Sequence, residues 1–149
     1  MALKNYRARL TTDPFAVIQK TLVAHKAKQL MFDYADDGRI KALTFTLQIN
    51  DRHYGFRLPA RVENVEQLLY GTKELTDAQK QQAYVTAWAN IRDWITAQTA
   101  LIDTGMVKFE EVFLPYMLDR SGKTYFETLE PKHFLLETGK PETEEVIRL

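Results

Sequence analysis

Cysteine is absent from all 149 residues. Its absence excludes disulfides, thiolate nucleophiles and sulfur-held zinc or iron, and it suits a reducing compartment. Histidine is scarce: His25, His53 and His133 show neither HxH nor HExxH spacing, so neither a metal site nor another cofactor is expected. The six glycines form no GxGxxG or GxxxxGKS/T phosphate loop, and no GxSxG nucleophile elbow is present, so no catalytic motif is expected. No stretch approaches the roughly 20 apolar residues that cross a bilayer, and the opening "MALKNYRARLTTDPF" lacks the apolar centre of a signal peptide. No membrane association is expected, and the expected compartment is the cytoplasm.

What is present describes an ordinary globular domain. The chain is 45% hydrophobic and 27% charged, and its length allows it to bury a core without staples. Twenty Lys+Arg meet twenty Asp+Glu, but this balance hides a division. Through Arg61, eleven basic residues face five acidic ones, a surplus of six; beyond it nine face fifteen, a deficit of six. Either these charges interleave on folding or they leave a dipolar surface that steers a charged partner. The closing "ETGKPETEEVIRL" is acidic and broken by glycine and proline. The expectation is therefore one domain over residues 1–137 and a mobile acidic tail over 138–149.

In "TTDPFAVIQKTLVAHKA", Thr12 or Asp13 can cap a helix whose first turn accommodates Pro14, and the spacing predicts a helix over about 14–27. From Gln29 the period becomes two. Leu30, Phe32 and Tyr34, then Leu43, Phe45, Leu47 and Ile49, then Tyr54, Phe56 and Leu58 each alternate with other residues, which predicts three strands joined at "ADDG" and "NDRH". "ENVEQLLYG" predicts a short helix closed by Gly71, and the stretch from Thr76 to Gly105 predicts one long helix over about 76–104. "MVKFEEVFLPYML" reads as another helix that Pro115 must kink, end or restart. "DRSGKTYFETLEPKHFLL" predicts a turn at Ser121 and Gly122 followed by one or two short elements. The fold class is α+β: an N-terminal helix, a three-stranded antiparallel meander and a helical C-terminal half.

Several constellations invite a functional reading. Glu110 and Glu111 are adjacent, so on a helix they point about 100° apart and form no acid–base pair. Asp36 and Asp37 lack the further oxygen ligands of a calcium loop and read as turn residues. "RHYGFRLPAR" interleaves Arg52, His53, Arg57 and Arg61 with Tyr54 and Phe56, a mixture able to grip phosphate and stack bases; the alternation, however, sends the aromatics inward and leaves a polar, mildly basic face. Both tryptophans lie on the long helix. At 100° per residue, Trp88 and Trp94 fall on opposite shoulders of one broad apolar face, more suited to a core than to a working surface. Gln98 fits that core least, and either satisfies backbone freed by Pro115 or reaches into a ligand pocket. "FLPYMLDRSGKTYF" supplies Tyr116 and Tyr125 among more large apolar groups than a short segment hides, which marks it as core or as interface, including one between copies of the chain.

"FDYADDG", "FRLPA" and "WANIRDWITAQTALIDTGMVKFEEVFLPYML" together resemble a family of small, mostly uncharacterised proteins encoded by tailed phages and integrated bacterial mobile elements. The resemblance spans roughly residues 6–127. One departure is "HKAK", where a glycine usually follows the histidine. The resemblance implies a setting inside a host bacterial cell, in replication, host takeover or counter-defence, and no catalytic residue. The expected function is a non-enzymatic interaction protein that binds a host or phage macromolecule and inhibits a defence system. The alternatives are a nucleic-acid-binding accessory of replication and a small-ligand or nucleotide sponge. The expected partner is a protein or a second copy, with nucleic acid as the alternative, and the candidate binding residues are Arg52, His53, Arg57, Arg61, Gln98, Tyr116 and Tyr125.

Overall fold

A computed structural model describes residues 13–71 and 73–135. The expected acidic tail and the residues before Asp13 lie outside that range.

Helix α1, Pro14–Ala24, is capped by Asp13, whose carboxylate accepts the Phe15 amide hydrogen at 2.9 Å. It stops three residues earlier than the sequence suggests. Lys26, with φ of 75°, adopts the left-handed conformation and turns the chain straight into β1, Ala27–Tyr34. Strands β2, Ile40–Ile49, and β3, Arg52–Pro59, complete an antiparallel sheet in the order β1-β2-β3. The β2–β3 hairpin is tight because Asn50 and Asp51 both take positive φ, 50° and 68°, as a two-residue turn requires.

Register decides which side chains are buried. Leu43 faces Leu58, Phe45 faces Phe56 and Leu47 faces Tyr54, so these six share the inner face. Tyr34 departs from the alternation: a register shift between Asp33 and Tyr34 turns it to solvent, where it is 61% exposed.

Helix α2, Val62–Tyr70, leads to α3, Asp77–Asp103. Thr76 and Gln79 form a reciprocal capping box at the start of α3. Helix α3 packs against both α1 and α2. Trp88 is fully buried, touching Phe15 with ring centroids 4.9 Å apart, and its indole N–H donates to the Ile40 carbonyl at 3.0 Å. The Tyr84 hydroxyl accepts the Ile40 amide hydrogen, so α3 satisfies both backbone groups at the start of β2.

Helix α4 is brief, Phe109–Phe113, and a single 3-10 turn, Leu114–Tyr116, follows it. Proline ends the helix here rather than kinking it. Phe109 and Phe113 stack on each other and meet Phe45 and Phe56 edge-on, which closes the far side of the core. The chain then runs beside β3: Met117 bridges to Phe56, and the Leu118 amide donates to the Gly55 carbonyl at 2.8 Å. A short reversal returns it to Thr124, which bridges to Leu118 and caps α5, Tyr125–Leu129; a 3-10 turn, Glu130–Lys132, comes next. The architecture is α+β, as the periodicity predicts.

Candidate functional site

The returning segment does more than extend the sheet. Docked beside β3, it walls two of three adjoining hollows of a surface furrow, all of which share Pro59; the remaining hollow lies between β2, β3 and the start of α2. The largest, about 430 Å³, lies between Arg57 and Arg61 on one side and Tyr116, Thr124, Phe126 and Glu127 on the other. A second, about 240 Å³, continues past Arg57 and Arg61 to Lys41 and Glu63 at the start of α2. The third, about 260 Å³, is apolar: Leu58, Ile91, Trp94 and Tyr116 line it, with Asn90 at its edge.

Each wall has a local cause. Arg57 sits on the outer face of β3 because its neighbours Phe56 and Leu58 are committed inward. Asp33 of β1 holds it across the sheet with an Nη2–Oδ2 distance of 3.3 Å. Arg61 caps α2 in the left-handed conformation, φ 47° and ψ 51°, which directs the chain from the end of β3 into the helix. Glu127 is fixed by α5's own cap: it accepts the Thr124 amide hydrogen at 3.0 Å while the Thr124 hydroxyl accepts the Glu127 amide hydrogen at 3.2 Å. The amide hydrogen bond from Thr124, aided by the charges of Arg57 and Arg61, holds the Glu127 carboxyl below the usual carboxylate range. Tyr116 stands between the charged and apolar hollows, and its ring meets Trp94 at 5.8 Å between centroids.

The structure brings together Arg57, Arg61 and Tyr116 from the candidate residues. Arg52 and His53 are exposed at the other end of β3, and His53 lies about 13 Å along the strand from Arg57. Tyr125 is 40% exposed and does not border the furrow, although both its neighbours do. Gln98 does not border it either. Its amide makes no hydrogen bond to the Pro115 segment, because α4 has already ended and Pro115 and Glu111 both lie at the surface. The buried polar group of that helical turn is Thr99, whose hydroxyl donates to the Ile95 carbonyl at 2.8 Å.

Sequence reasoning missed Lys41, Pro59 and Glu127 as parts of one site. "TYFE" at residues 124–127 is a Thr-x-x-Glu capping box and is readable as one, but nothing local places it opposite β3. Trp94 is half-buried and lines the apolar hollow as well as packing on Phe113, whereas Trp88 is wholly interior.

Among the described residues, no group of three His, Asp or Glu is arranged to hold a metal ion. The carboxylates with displaced proton affinity, Asp37, Asp119 and Glu127, are all shifted toward the anion. Hydrogen bonds from their own turn or cap cause this: from Arg39 for Asp37, from Ser121 for Asp119 and from Thr124 for Glu127. Those are structural duties, and none prepares a carboxyl to deliver a proton. Compared with known proteins, the chain matches no family model, no curated protein and no solved structure.

Proposed function

We propose that this chain is a non-enzymatic binding protein that takes a segment of another protein in the furrow around Pro59. The observation that carries this reading is the pairing of an apolar hollow, walled by Ile91, Trp94 and Tyr116, with a flanking charged one that holds Arg57 and Arg61. Aromatic and arginine side chains gathered beside a concave apolar surface are the usual anchors of protein recognition. The mixed charge of the furrow supports it further, since Lys41, Arg57 and Arg61 are accompanied by Asp33, Glu63 and Glu127. A polyanion meets repulsion there that a protein segment avoids. The resemblance to phage and mobile-element proteins supplies the setting: the cytoplasm of a host bacterium, with a component of a defence system as the target.

A photo-crosslinking residue at position 116, in a chain expressed in bacteria that carry a phage-defence system, should capture one discrete protein. The same residue at position 36, in the exposed β1–β2 turn, should not. The chain should also restore phage growth in those cells, and Tyr116→Ser should weaken both effects. Equal capture from both positions, with no effect on phage growth, would sink the reading.

A second reading, nucleic-acid binding, rests on a surface that meets the furrow at Arg57: the polar outer sheet face with His53 opposite Gln48 and Arg57 opposite Thr44, and Arg52 at its end. It requires salt-dependent DNA or RNA binding that the Arg52, Arg57 and Arg61 triple alanine variant loses.

A further inference from the structure

We infer that the furrow selects an acidic peptide segment, with a partner carboxylate seated between Arg57 and Arg61 and an apolar side chain of the same segment lodged against Ile91 and Trp94. This inference rests on the protein-binding function proposed above and names the chemistry of the partner.

The cations of the furrow have binding capacity in reserve. A guanidinium offers five N–H donors, and Asp33 contacts Arg57 through one nitrogen at 3.3 Å. Among the described residues, neither Arg61 nor Lys41 has a carboxylate within ion-pair distance. The Glu127 carboxylate is differently placed: the Thr124 amide engages it at 3.0 Å, so it stays with α5 as a fixed wall. Two arginines, one braced by the sheet and one at the exposed start of α2, therefore border one hollow and offer it donors of the kind that bind a planar oxyanion.

The same furrow limits how much anion it accepts. Glu63 and Glu127 flank the arginines, so a single carboxylate between them is complementary while a run of phosphates is not. Continuity supplies the second half of the specificity. Pro59 and Tyr116 border both the charged and the apolar hollows, so one extended segment can place a carboxylate in the first and an aromatic or branched side chain in the second. Burial of that side chain contributes affinity, and the arginine contact selects which segments qualify.

The test is fluorescence anisotropy at low salt with the full chain and labelled octapeptides. One carries a single glutamate beside a phenylalanine, a second replaces the glutamate with glutamine, and a third replaces the phenylalanine with serine. A labelled twelve-nucleotide single-stranded DNA serves as the polyanion. The glutamate peptide should bind at least about tenfold more tightly than either altered peptide and more tightly than the oligonucleotide. Arg61→Gln, at an exposed position, should keep the circular-dichroism spectrum and remove most of that preference. Equal affinity for glutamate and glutamine peptides, or an unchanged preference in Arg61→Gln, overturns the carboxylate seat. So does tighter binding of the oligonucleotide. If the glutamine peptide binds equally and Tyr116→Ser abolishes binding, the seat is wrong and the furrow reading stands. If no peptide binds and position 116 yields no cross-link, both are wrong.

Discussion

Lys26 follows the last capping residue of α1 and has φ of 75°, a conformation that an L side chain adopts against steric resistance. The backbone shows why this position is demanding: the helix must reverse within two residues to start β1, a conformation that glycine adopts without that resistance. Lys26→Gly should therefore stabilise the fold by about 0.5–1 kcal/mol, the left-handed strain relieved less the added freedom of the unfolded chain. Urea denaturation read by tryptophan fluorescence checks it, and a destabilised variant would show that the lysine side chain contributes something the backbone does not. Arg61 has a comparable left-handed backbone, but there the side chain lines the furrow, so backbone strain and the candidate site coincide at one residue.

Among elements, the link between α1 and α3 carries a pH-dependent contribution. The Nδ1–H of His25 donates to the Thr21 carbonyl and its Nε2–H donates to the Asp103 carboxylate, each at 2.8 Å, so the ring makes both bonds only as the imidazolium. The Thr21 carbonyl is the main cause of a raised proton affinity; burial opposes it, and Asp103 adds to it. Because the folded pKa lies above the unfolded value, this contribution is complete below about pH 6.5 and disappears as pH rises through the folded pKa. Asp103 is 67% exposed, so solvent screens the pair and the effect is modest. Between about pH 5.5 and about pH 8.5 the wild type should lose more thermal stability than His25→Gln. Parallel melting curves for the two proteins would refute the assignment. Element identity itself was largely readable. The alternating strands and the capping boxes around Thr76 and Thr124 follow from local preference. The premature end of α1, the outward turn of Tyr34 and the brevity of α4 do not, since each depends on where the neighbouring strand or aromatic cluster stands.

At the scale of the whole molecule, the segment that walls the charged and apolar hollows makes a close approach to β3. Gly55 lies beside Leu118, and a Cβ added to it would come within 3.3 Å of the leucine Cδ1. Gly55→Val adds further branches at that point, so the segment after Tyr116 should loosen from β3 while the sheet persists. Hydrogen exchange should speed at the Leu118 and Tyr125 amides, bonded to Gly55 and Met117, and remain slow within the β1–β2 ladder. Unchanged exchange at Leu118 would show that the segment docks without this gap. The same assembly explains why the candidate residues were only partly legible. Arg57, Arg61 and Tyr116 could be singled out by type, yet Lys41, Pro59, Trp94 and Glu127 join them only because β2, β3, α3 and α5 converge. The sequence by itself determined the kinds and order of the elements and the inward faces of the strands, because hydrophobic period and capping act over a few residues. Tertiary structure alone decided that Trp88 is interior while Trp94 borders a furrow, and that Gln98 stands aside from it. Side chains far apart along the chain meet through packing, which no local preference encodes.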